Sequence, residues 1–437
     1  MPTKSQDLVK QFCQDEKHAK NLIYVEDIDT FGLYDEEKGV FKIISEEHFQ
    51  PYVYDYLLEN TEKNLSKNLV KDIVSLVKWK AYRKIKNINS NYISIKDKLL
   101  NLETFEFEEF SKDKVAFHHI ECDIKEIESM KSTPLFTKFL EDVLVTKDMQ
   151  TDNELITVAQ EMMGYYLLNT MEGQCMFFLN GEGANGKSVL LNILRAMVGD
   201  EFCSAMSIET ITTNRFAPAG LIGKKVNICS EDESQYIKSD KFKALVSGDP
   251  IQVDRKFGSM FLLYPTTKYI YATNNLPTFN GVDHGLLRRI NIIPFLRRIS
   301  EAEKDTTLDK KIIAQELPGI ISWALIGAKR LKENKFKFSP SKQMDEVKEE
   351  FTLNLSASMM FIKDGYEESD SESDFIPNDN LYLEFKLWCE RNGKKAPSSP
   401  RFLKEIIPFF KEREGVVRYS ADDKRTVRGR FIKRKEL

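Results

Sequence analysis

One octet of the sequence, GEGANGKS from Gly181 to Ser188, has the glycine, lysine and serine spacing of a loop that binds nucleotide phosphates. The apolar run before it (CMFFLN) predicts a buried strand, and the run after it (VLLNILRAMVG) predicts a helix. Glycines let backbone N–H groups turn toward phosphate oxygens, and the start of a helix adds a partial positive charge. The residues that we expect to hold ATP are Gly181, Gly183, Ala184, Asn185, Gly186, Lys187, Ser188 and Val189.

Two kinds of side chain are expected to act on the bound triphosphate. In such a loop the lysine, here Lys187, binds the β- and γ-phosphates, and the hydroxyl of Ser188 binds Mg²⁺. Glu231 and Asp232 follow a second apolar run, VNIC, after a single serine, and so lie at the end of a predicted strand. One carboxylate would hold Mg²⁺ through water while the other polarises the attacking water, and which of the two is the general base stays open.

Two further predicted strands carry polar residues at their ends. Asn274 ends the run KYIYATNN, where an amide can orient the attacking water without adding negative charge. Arg288 and Arg289 precede the apolar run of GLLRRINIIPF. An arginine pair before a strand is often a solvated edge, but in ring ATPases an arginine at this place reaches the γ-phosphate of a neighbouring subunit.

A predicted hairpin lies between these strands. The runs IQVD and MFLLY favour two strands, with Arg255, Lys256 and Phe257 at the tip before a Gly-Ser turn. A cation and an aromatic ring at one tip suit single-stranded DNA, since the lysine binds phosphate and the ring stacks on a base or sugar. The alternative is a surface hairpin with an incidental lysine.

The elements that position these residues indicate an α/β protein. Strands and helices alternate from the octet to about residue 300, as in a domain with a largely parallel sheet. The 437 residues include six scattered cysteines, which we interpret as free thiols, and no apolar run of about 18 residues. No signal sequence is apparent at the N-terminus, so we expect a cytoplasmic protein that does not bind membranes.

The C-terminal region is basic although the whole chain has a net charge of −4. From Arg391 to Leu437 there are fifteen Lys and Arg against six Asp and Glu, a local charge of about +9. Two predicted helices and a predicted hairpin favour a winged-helix DNA-binding domain; the alternative is a basic module that binds phosphates nonspecifically. The residues expected to contact DNA here are Arg401, Lys404, Lys424, Arg425 and Arg428.

Together these motifs resemble the superfamily 3 helicases, in particular the phage, plasmid and poxvirus primase-helicase family. The resemblance covers residues 150 to 300 most closely. It implies that Glu231 and Asp232 are the motif B acidic pair, that Asn274 is the motif C sensor, and that Arg289 is the arginine acting in trans, with Arg288 as second choice. It also implies that the hairpin tip projects into the channel of a hexamer, although many family members carry histidine where Phe257 stands.

The resemblance implies an AAA+-like P-loop core and an ATP- and Mg²⁺-dependent, ring-forming DNA helicase for a phage, plasmid or other mobile element. Its expected partners are single-stranded or forked DNA, further copies of the chain, and a primase or polymerase. The alternatives are an origin-binding initiator ATPase and the motor half of a larger primase-helicase. The expected domains are a mixed α/β N-terminal region (1–140), the ATPase core (141–300), a helical extension (301–365), an acidic linker (366–375) and a winged-helix module (376–437).

Overall fold

The computed structural model describes residues 4–15, 18, 20–60, 65–80, 83–86, 88, 90–230, 236–254, 260–280, 283–369, 371–394, 396–407, 415–418 and 426–435. The chain forms two compact units, one of Met1–Asn280 with Arg288–Met344 and one of Gly281–Leu287 with Asp345–Leu437. The first unit contains the octet, and the second contains the basic C-terminal module. The N-terminal region and the ATPase core, which we expected as separate domains, therefore share one unit.

The N-terminal region of the first unit is built from short strands and helices. The helices are α1 (Lys4–Gln14), α2 (Glu46–Asn60) and α3 (Lys67–Lys80). The strands are β1 (Leu22–Val25), β2 (Thr30–Asp35), β3 (Val40–Ile44), β4 (Lys84–Ile85), β5 (Tyr92–Ile95), β6 (Lys98–Asn101), β7 (Phe107–Glu108) and β8 (Ala116–Ile120). They form two sheets with the orders β3-β2-β1-β4 and β7-β6-β5-β8.

The sheet of β1 to β4 is covered on both faces. Because side chains alternate along a strand, Leu22 and Phe31 belong to one apolar cluster together with residues of α1 to α3. Ile23, Val25 and Phe41 lie in a different apolar cluster. This sheet therefore has two buried faces, and its strands are correspondingly rich in apolar residues.

A five-stranded parallel sheet forms the centre of the first unit. Its strands are β9 (Met176–Asn180), β10 (Cys203–Ser204), β11 (Val226–Cys229), β15 (Lys268–Thr273) and β17 (Ile290–Pro294). They lie in the order β10-β11-β15-β9-β17, and every neighbouring pair is parallel. The predicted α/β architecture with a parallel sheet is confirmed, and β9, which leads into the octet, is an internal strand.

Helices cover this sheet. They are α4 (Ile124–Ser129), α5 (Pro134–Val143), α6 (Asn153–Leu167), α7 (Lys187–Val198) and α11 (Leu308–Glu333). The first unit also contains α8 (Ile208–Thr213) and α9 (Ser239–Ser247), whereas α10 (His284–Leu287) belongs to the second unit. Helices α6 and α11 approach closely where Gly164 lies, because a Cβ there would stand 2.3 Å from the backbone nitrogen of Ala328. A large apolar core is thus shared by the sheet and helices α4 to α7 and α11.

The predicted hairpin is present as β13 (Ile251–Val253) and β14 (Phe261–Leu263), which pair antiparallel. Its predicted tip residues Arg255, Lys256 and Phe257 lie outside the described residues. A separate parallel pair is formed by β12 (Tyr236–Lys238) and β16 (Thr278–Asn280).

The second unit contains helices and a small sheet. The helices are the main part of α12 (Lys342–Leu355), α13 (Ala357–Gly365), α14 (Asn378–Arg391) and α15 (Ser399–Ile406). The strands are β18 (Tyr366–Glu368), β19 (Phe375–Pro377), β20 (Gly415–Arg418) and β21 (Thr426–Arg434), and each of the first three pairs antiparallel with β21. Phe385 and Phe402 stack in its core with ring centres 4.4 Å apart.

The acidic segment 366–375 is part of this unit rather than a linker. It contributes β18 and the first residue of β19 to the sheet. Tyr366 is buried in the core, and the rings of Phe375 and Phe431 lie 5.4 Å apart, so the aromatic residues at its two ends hold the segment in place. The predicted extension 301–365 is also divided, because α11 belongs to the first unit and α13 to the second.

Candidate nucleotide and DNA site

The octet forms a loop between β9 and α7, at the edge of the sheet where the parallel strands end. Gly183, Ala184 and Gly186 have positive φ angles of 100°, 47° and 89°. These left-handed conformations turn the backbone around the loop, and they are the reason for glycine at two of the three positions. Ligands of open parallel sheets bind at this edge, so the loop has the position expected for a phosphate site.

Lys187 is buried at the first position of α7. Its ammonium group donates hydrogen bonds to the Gly181 carbonyl at 2.5 Å, to Asn185 Oδ1 at 3.1 Å and to Asn274 Oδ1 at 3.3 Å. Burial lowers the pKa of Lys187 from its usual value. The structure therefore brings together the predicted lysine and the predicted sensor asparagine, which are 87 positions apart in the chain.

Asn185 links the loop to the neighbouring strand. Its side chain is 4% exposed, and its Nδ2 donates to the Phe295 carbonyl directly after β17 at 3.3 Å. A Cβ at Gly181 would stand 2.2 Å from that same Nδ2, so only glycine leaves room for the amide. Asn185 thus holds the loop on β17 and accepts a hydrogen bond from Lys187 at the same time.

A cavity of about 1130 Å³ opens beside the loop. Residues 183–189 and Asn274 line it, as does Ser230, the residue that follows β11. Glu231 and Asp232 come directly after Ser230 in the chain and themselves lie outside the described residues. Among the residues that the structure describes, no group of three or more His, Cys, Asp and Glu side chains is arranged to hold a metal ion.

Part of the cavity wall is formed by residues that the sequence motifs did not single out. Phe139 on α5, Ile299 and Leu308 give it apolar walls. Asn192 on α7 donates to Asp309 Oδ2 on α11 at 2.7 Å beside them. Phe139 lies 42 residues before the octet, and Ile299 and Leu308 lie 111 and 120 residues after it. No local motif marks these three residues, and only the fold shows that they share the cavity of the octet.

The two predicted arginines differ in exposure. Arg289 is 9% exposed, and its Nε donates to Ser247 Oγ at the end of α9 at 2.8 Å. Arg288 is exposed, and its Nη2 lies 3.3 Å from Gln174 Oε1. Both precede β17, whose opposite end contacts the phosphate loop, so they lie at the other edge of the sheet from the cavity of their own chain.

An exposed aromatic residue accompanies the hairpin. The Phe216 side chain is 41% exposed, and the Arg215 guanidinium lies over its ring at 4.9 Å from the ring centre. Arg215 also forms an ion pair with Asp254 at 3.1 Å, and the Asp254 N–H donates to the Arg215 carbonyl. Asp254 directly follows β13, so the Arg215–Phe216 pair is tied to the base of the hairpin.

The C-terminal residues predicted to bind DNA are only partly described. Arg401 and Lys404 are exposed on α15, and Arg428 is exposed on β21. Arg401 forms an ion pair with Glu405 one turn along the same helix at 2.8 Å. Lys424 and Arg425 lie outside the described residues.

Two protein families match parts of this chain. Residues 179–289, which include the phosphate loop and Asn274, match a family of unknown function (DUF5906). Residues 357–436, which form most of the second unit, match a family described as poxvirus D5 protein-like. None of the helices that the structure describes is both long enough and apolar enough to span a bilayer.

Several curated relatives come from viruses. The "Putative helicase L207/L206" of Acanthamoeba polyphaga mimivirus is 29% identical over 186 residues, which are 41% of this chain and 19% of that protein. Primase D5 of Fowlpox virus is 27% identical over 170 residues, 36% of this chain and 21% of that protein. The uncoating factor OPG117 of Vaccinia virus is 28% identical over 186 residues, 38% of this chain and 22% of that protein. The alignments thus span about a fifth of the length of these relatives.

One solved structure has a similar fold along the whole chain. The apo structure of the NrS-1 C-terminal region aligns with 99% of this chain and 100% of that one, with a TM-score of 0.50 and 13% sequence identity. At this identity the likeness concerns the fold alone.

Proposed function

Because the chain is related to the D5-type superfamily 3 primase-helicases, we propose that it is an ATP-dependent DNA helicase that acts in the replication of a virus, phage, plasmid or other mobile element. The observation that carries the proposal is the hydrogen bond from Lys187 of the phosphate loop to Asn274, which follows β15, at the wall of the cavity. An ammonium group and an amide at this place suit the transfer of a γ-phosphoryl group to water, in which a lysine binds the β- and γ-phosphates and a polar side chain orients the water.

ATP is proposed to bind with its triphosphate in the loop and its base against the apolar residues of the cavity wall. Lys187 then exchanges its hydrogen bonds to the loop for bonds to the β- and γ-phosphates. Phe139, Ile299 and Leu308 offer the apolar walls that a purine base favours.

Mg²⁺ is the metal that this donor set fits, since hydroxyl, carboxylate and phosphate oxygens are its usual ligands. Ser188 is exposed to the cavity, and Ser230 brings the chain to the cavity wall one residue before the acidic pair. Ser188, Glu231 and Asp232 would hold the ion, which neutralises charge on the triphosphate. Asn274 would orient the attacking water.

The arginine that completes the site is proposed to come from a neighbouring subunit. Five residues of β17 separate Arg289 from the loop, a distance of roughly 16 Å at the usual rise of a strand. Neither Arg288 nor Arg289 can therefore reach the nucleotide of its own chain. Composite sites of this kind favour a ring, which the resemblance suggests is a hexamer.

DNA is proposed to be gripped by the hairpin and the adjacent aromatic residue. The tip residues Arg255, Lys256 and Phe257 supply cations and a ring, and Phe216 supplies a second exposed ring beside Arg215. Such a combination suits single-stranded DNA with little sequence preference. ATP hydrolysis would move this surface along one strand.

A fork-unwinding assay with ATP and Mg²⁺ tests the proposal. The wild-type protein is expected to separate the strands, and Lys187→Ala is expected to lose both ATP hydrolysis and unwinding. Glu182→Ala is a matched control on the same loop, because Glu182 is exposed and lies outside the lysine's hydrogen bonds. ATP hydrolysis without any unwinding would contradict the helicase function.

Mixing two inactive variants tests the shared site. Lys187→Ala and Arg289→Ala are each expected to be inactive, and their mixture is expected to recover part of the ATPase activity at interfaces that contain one intact site. The same mixture with Arg288→Ala shows which arginine acts, since Arg288 is the exposed one of the pair. If ATPase activity recovers in the mixture of Lys187→Ala with an inactive Arg288→Ala but not in the mixture with Arg289→Ala, Arg288 is the arginine that acts in trans.

The basic second unit favours one alternative, an origin-binding initiator whose ATPase controls assembly. Arg401 and Lys404 are exposed on one helix, as in a recognition helix. Sequence-specific footprinting without strand separation would support the initiator. The relatives are about five times longer than the aligned regions, so a motor that works with a primase or polymerase is also consistent with the proposal.

A further inference from the structure

The hairpin has one buried face and one exposed face. Val253 on β13 and Leu263 on β14 are 0% and 4% exposed. Gln252 and Leu262, which pair directly across the two strands, are exposed on the opposite face. The alternation follows from the period of a strand, and it means that something covers the Val253 side.

The N-terminal sheet contributes to that cover. Val253 and Leu263 belong to one apolar cluster with Ile23 and Val25 of β1 and Phe41 of β3. These three residues are between 0% and 1% exposed. The hairpin base is therefore packed on the same sheet whose other face is covered by α1 to α3.

We propose that the N-terminal sheet positions the DNA-binding hairpin, with Ile23, Val25 and Phe41 as the positioning residues. The proposal rests on the proposed function, because it assigns to the N-terminal region the task of holding the surface that grips DNA. It also gives residues 1–120, in which the sequence shows no catalytic set, a role in the motor.

A physical requirement supports this role. The paired strands of the hairpin have only three residues each, and an isolated two-stranded hairpin is at best marginally stable in water. The hydrogen bonds between β13 and β14 must therefore be stabilised by packing against other elements. On the motor side, the hairpin base is tied through the Arg215–Asp254 ion pair, and Ala219 and Ile222 pack against the same apolar cluster. The N-terminal sheet adds the fully buried residues Ile23, Val25 and Phe41 to this support.

A pair of phenylalanines on the two faces of the sheet allows a matched test. Phe41 contacts the hairpin cluster, whereas Phe31 on the adjacent strand β2 contacts the helix cluster, and both are buried. Phe41→Ala is expected to speed hydrogen exchange of the β13 and β14 amides about tenfold or more, because the packing that holds the ladder is weakened. Phe31→Ala removes the same atoms from the other face and is expected to leave those amides within about twofold of wild type.

Exchange in β9 and β15 monitors the rest of the unit in both variants. Equal acceleration of the hairpin amides by Phe31→Ala and Phe41→Ala, or no acceleration by Phe41→Ala, would overturn the proposal. If Phe41→Ala fails to fold, Phe41→Leu with the same exchange measurement replaces it, and a smaller change confined to the hairpin is expected.

DNA affinity separates this proposal from the helicase function. Phe41→Ala is expected to weaken binding of a labelled single strand about tenfold while ATP hydrolysis without DNA stays near wild type. Faster hairpin exchange with unchanged DNA affinity would support the sheet as the element that positions the hairpin. It would count against the hairpin as the DNA-binding surface. Unchanged hairpin exchange with weakened DNA binding would count against the sheet as the support of the hairpin.

Discussion

Lys268 is a lysine enclosed in protein at the start of β15. It is 1% exposed, its ammonium group donates to the Leu168 carbonyl, and it lies over the Tyr165 ring at 4.6 Å from the ring centre. Burial lowers the pKa of Lys268 to about 7. Lys225 lies beside it on the neighbouring chain segment, where burial also lowers the pKa of its amine well below the usual value.

These shifts predict that stability rises with pH above neutrality. Between about pH 7 and pH 10 the unfolded state binds a proton at position 268 that the folded state does not, so the free energy of unfolding increases with pH in this window. Lys268→Met is expected to flatten the slope and to be more stable at pH 7, by an amount on the order of a few kcal/mol. Urea unfolding at several pH values measures this.

Lys329→Met is the control for this prediction, because Lys329 is exposed on α11. It is expected to keep the wild-type slope. A Lys268→Met protein whose unfolding free energy depends on pH as strongly as that of wild type would contradict the prediction.

Phe216 is the second residue whose environment leads to a prediction. Stacking of a base on an aromatic ring contributes roughly 1–3 kcal/mol, so Phe216→Ala is expected to weaken single-stranded DNA binding by about tenfold. Tyr54→Ala is a matched control, since both rings are 41% exposed but Tyr54 lies on α2. Fluorescence anisotropy with a labelled strand gives both affinities, and an equal loss in the two variants would argue against a specific stack.

Among the elements, α5 depends on a carboxylate from a distant helix. The N–H groups of Leu135 and Phe136, in its first turn, donate to the two oxygens of Glu316 on α11 at 2.9 and 2.8 Å. Glu316 is 5% exposed, so these charged hydrogen bonds are buried. Since α5 carries Phe139 into the cavity wall, this contact also fixes one wall of the proposed nucleotide site.

Glu316→Ala is therefore expected to lower the free energy of unfolding by about 2 kcal/mol and to raise the KM for ATP several-fold. Chemical denaturation and steady-state ATPase kinetics measure the two effects. Glu333→Ala, at the exposed end of the same helix, is the control and is expected to change neither. If stability falls and the KM for ATP does not change, the hydrogen bonds of Glu316 stabilise α5 without affecting ATP binding.

Helix α15 allows a prediction about the charge of the second unit. If Arg401 and Lys404 contact DNA phosphates, the double substitution to alanine should weaken binding and reduce the salt dependence of the binding constant by about one phosphate contact per side chain. Arg401 is partly neutralised by Glu405, so Lys404 is expected to have the larger effect.

Lys386 and Lys394 are exposed in the same unit and serve as the control pair for α15. Titrations with forked DNA at several salt concentrations compare the two double variants. Equal changes in slope would indicate nonspecific attraction to the whole unit.

At the scale of the whole molecule, the separation of the arginines from their own cavity predicts an assembly. A chain of 50.7 kDa is expected to form a ring with ATP and forked DNA, with a native mass several times that value. Native mass spectrometry or light scattering measures this. A monomer under those conditions would contradict the shared site and the mixing experiment together.

The sequence by itself determined the phosphate loop, its strand and helix, and the order of the polar strand ends. These depend on contiguous residues, since the conformation and chemistry of the octet are local. It also predicted the hairpin strands and the helices of the second unit. The acidic composition of segment 366–375 predicted a linker, but its few aromatic residues find partners once the second unit has folded.

Only the tertiary structure decided which distant side chains share the nucleotide cavity and what supports the hairpin. Phe139, Glu316 and Leu308 act at the site through packing and hydrogen bonds between elements far apart in the chain, and no local spacing encodes such contacts. The same holds for Phe41 and Val253, which belong to one apolar cluster although more than 200 residues separate them. Long-range burial is a property of the assembled core, and for that reason only the folded molecule shows that the N-terminal sheet shares an apolar cluster with the hairpin strands.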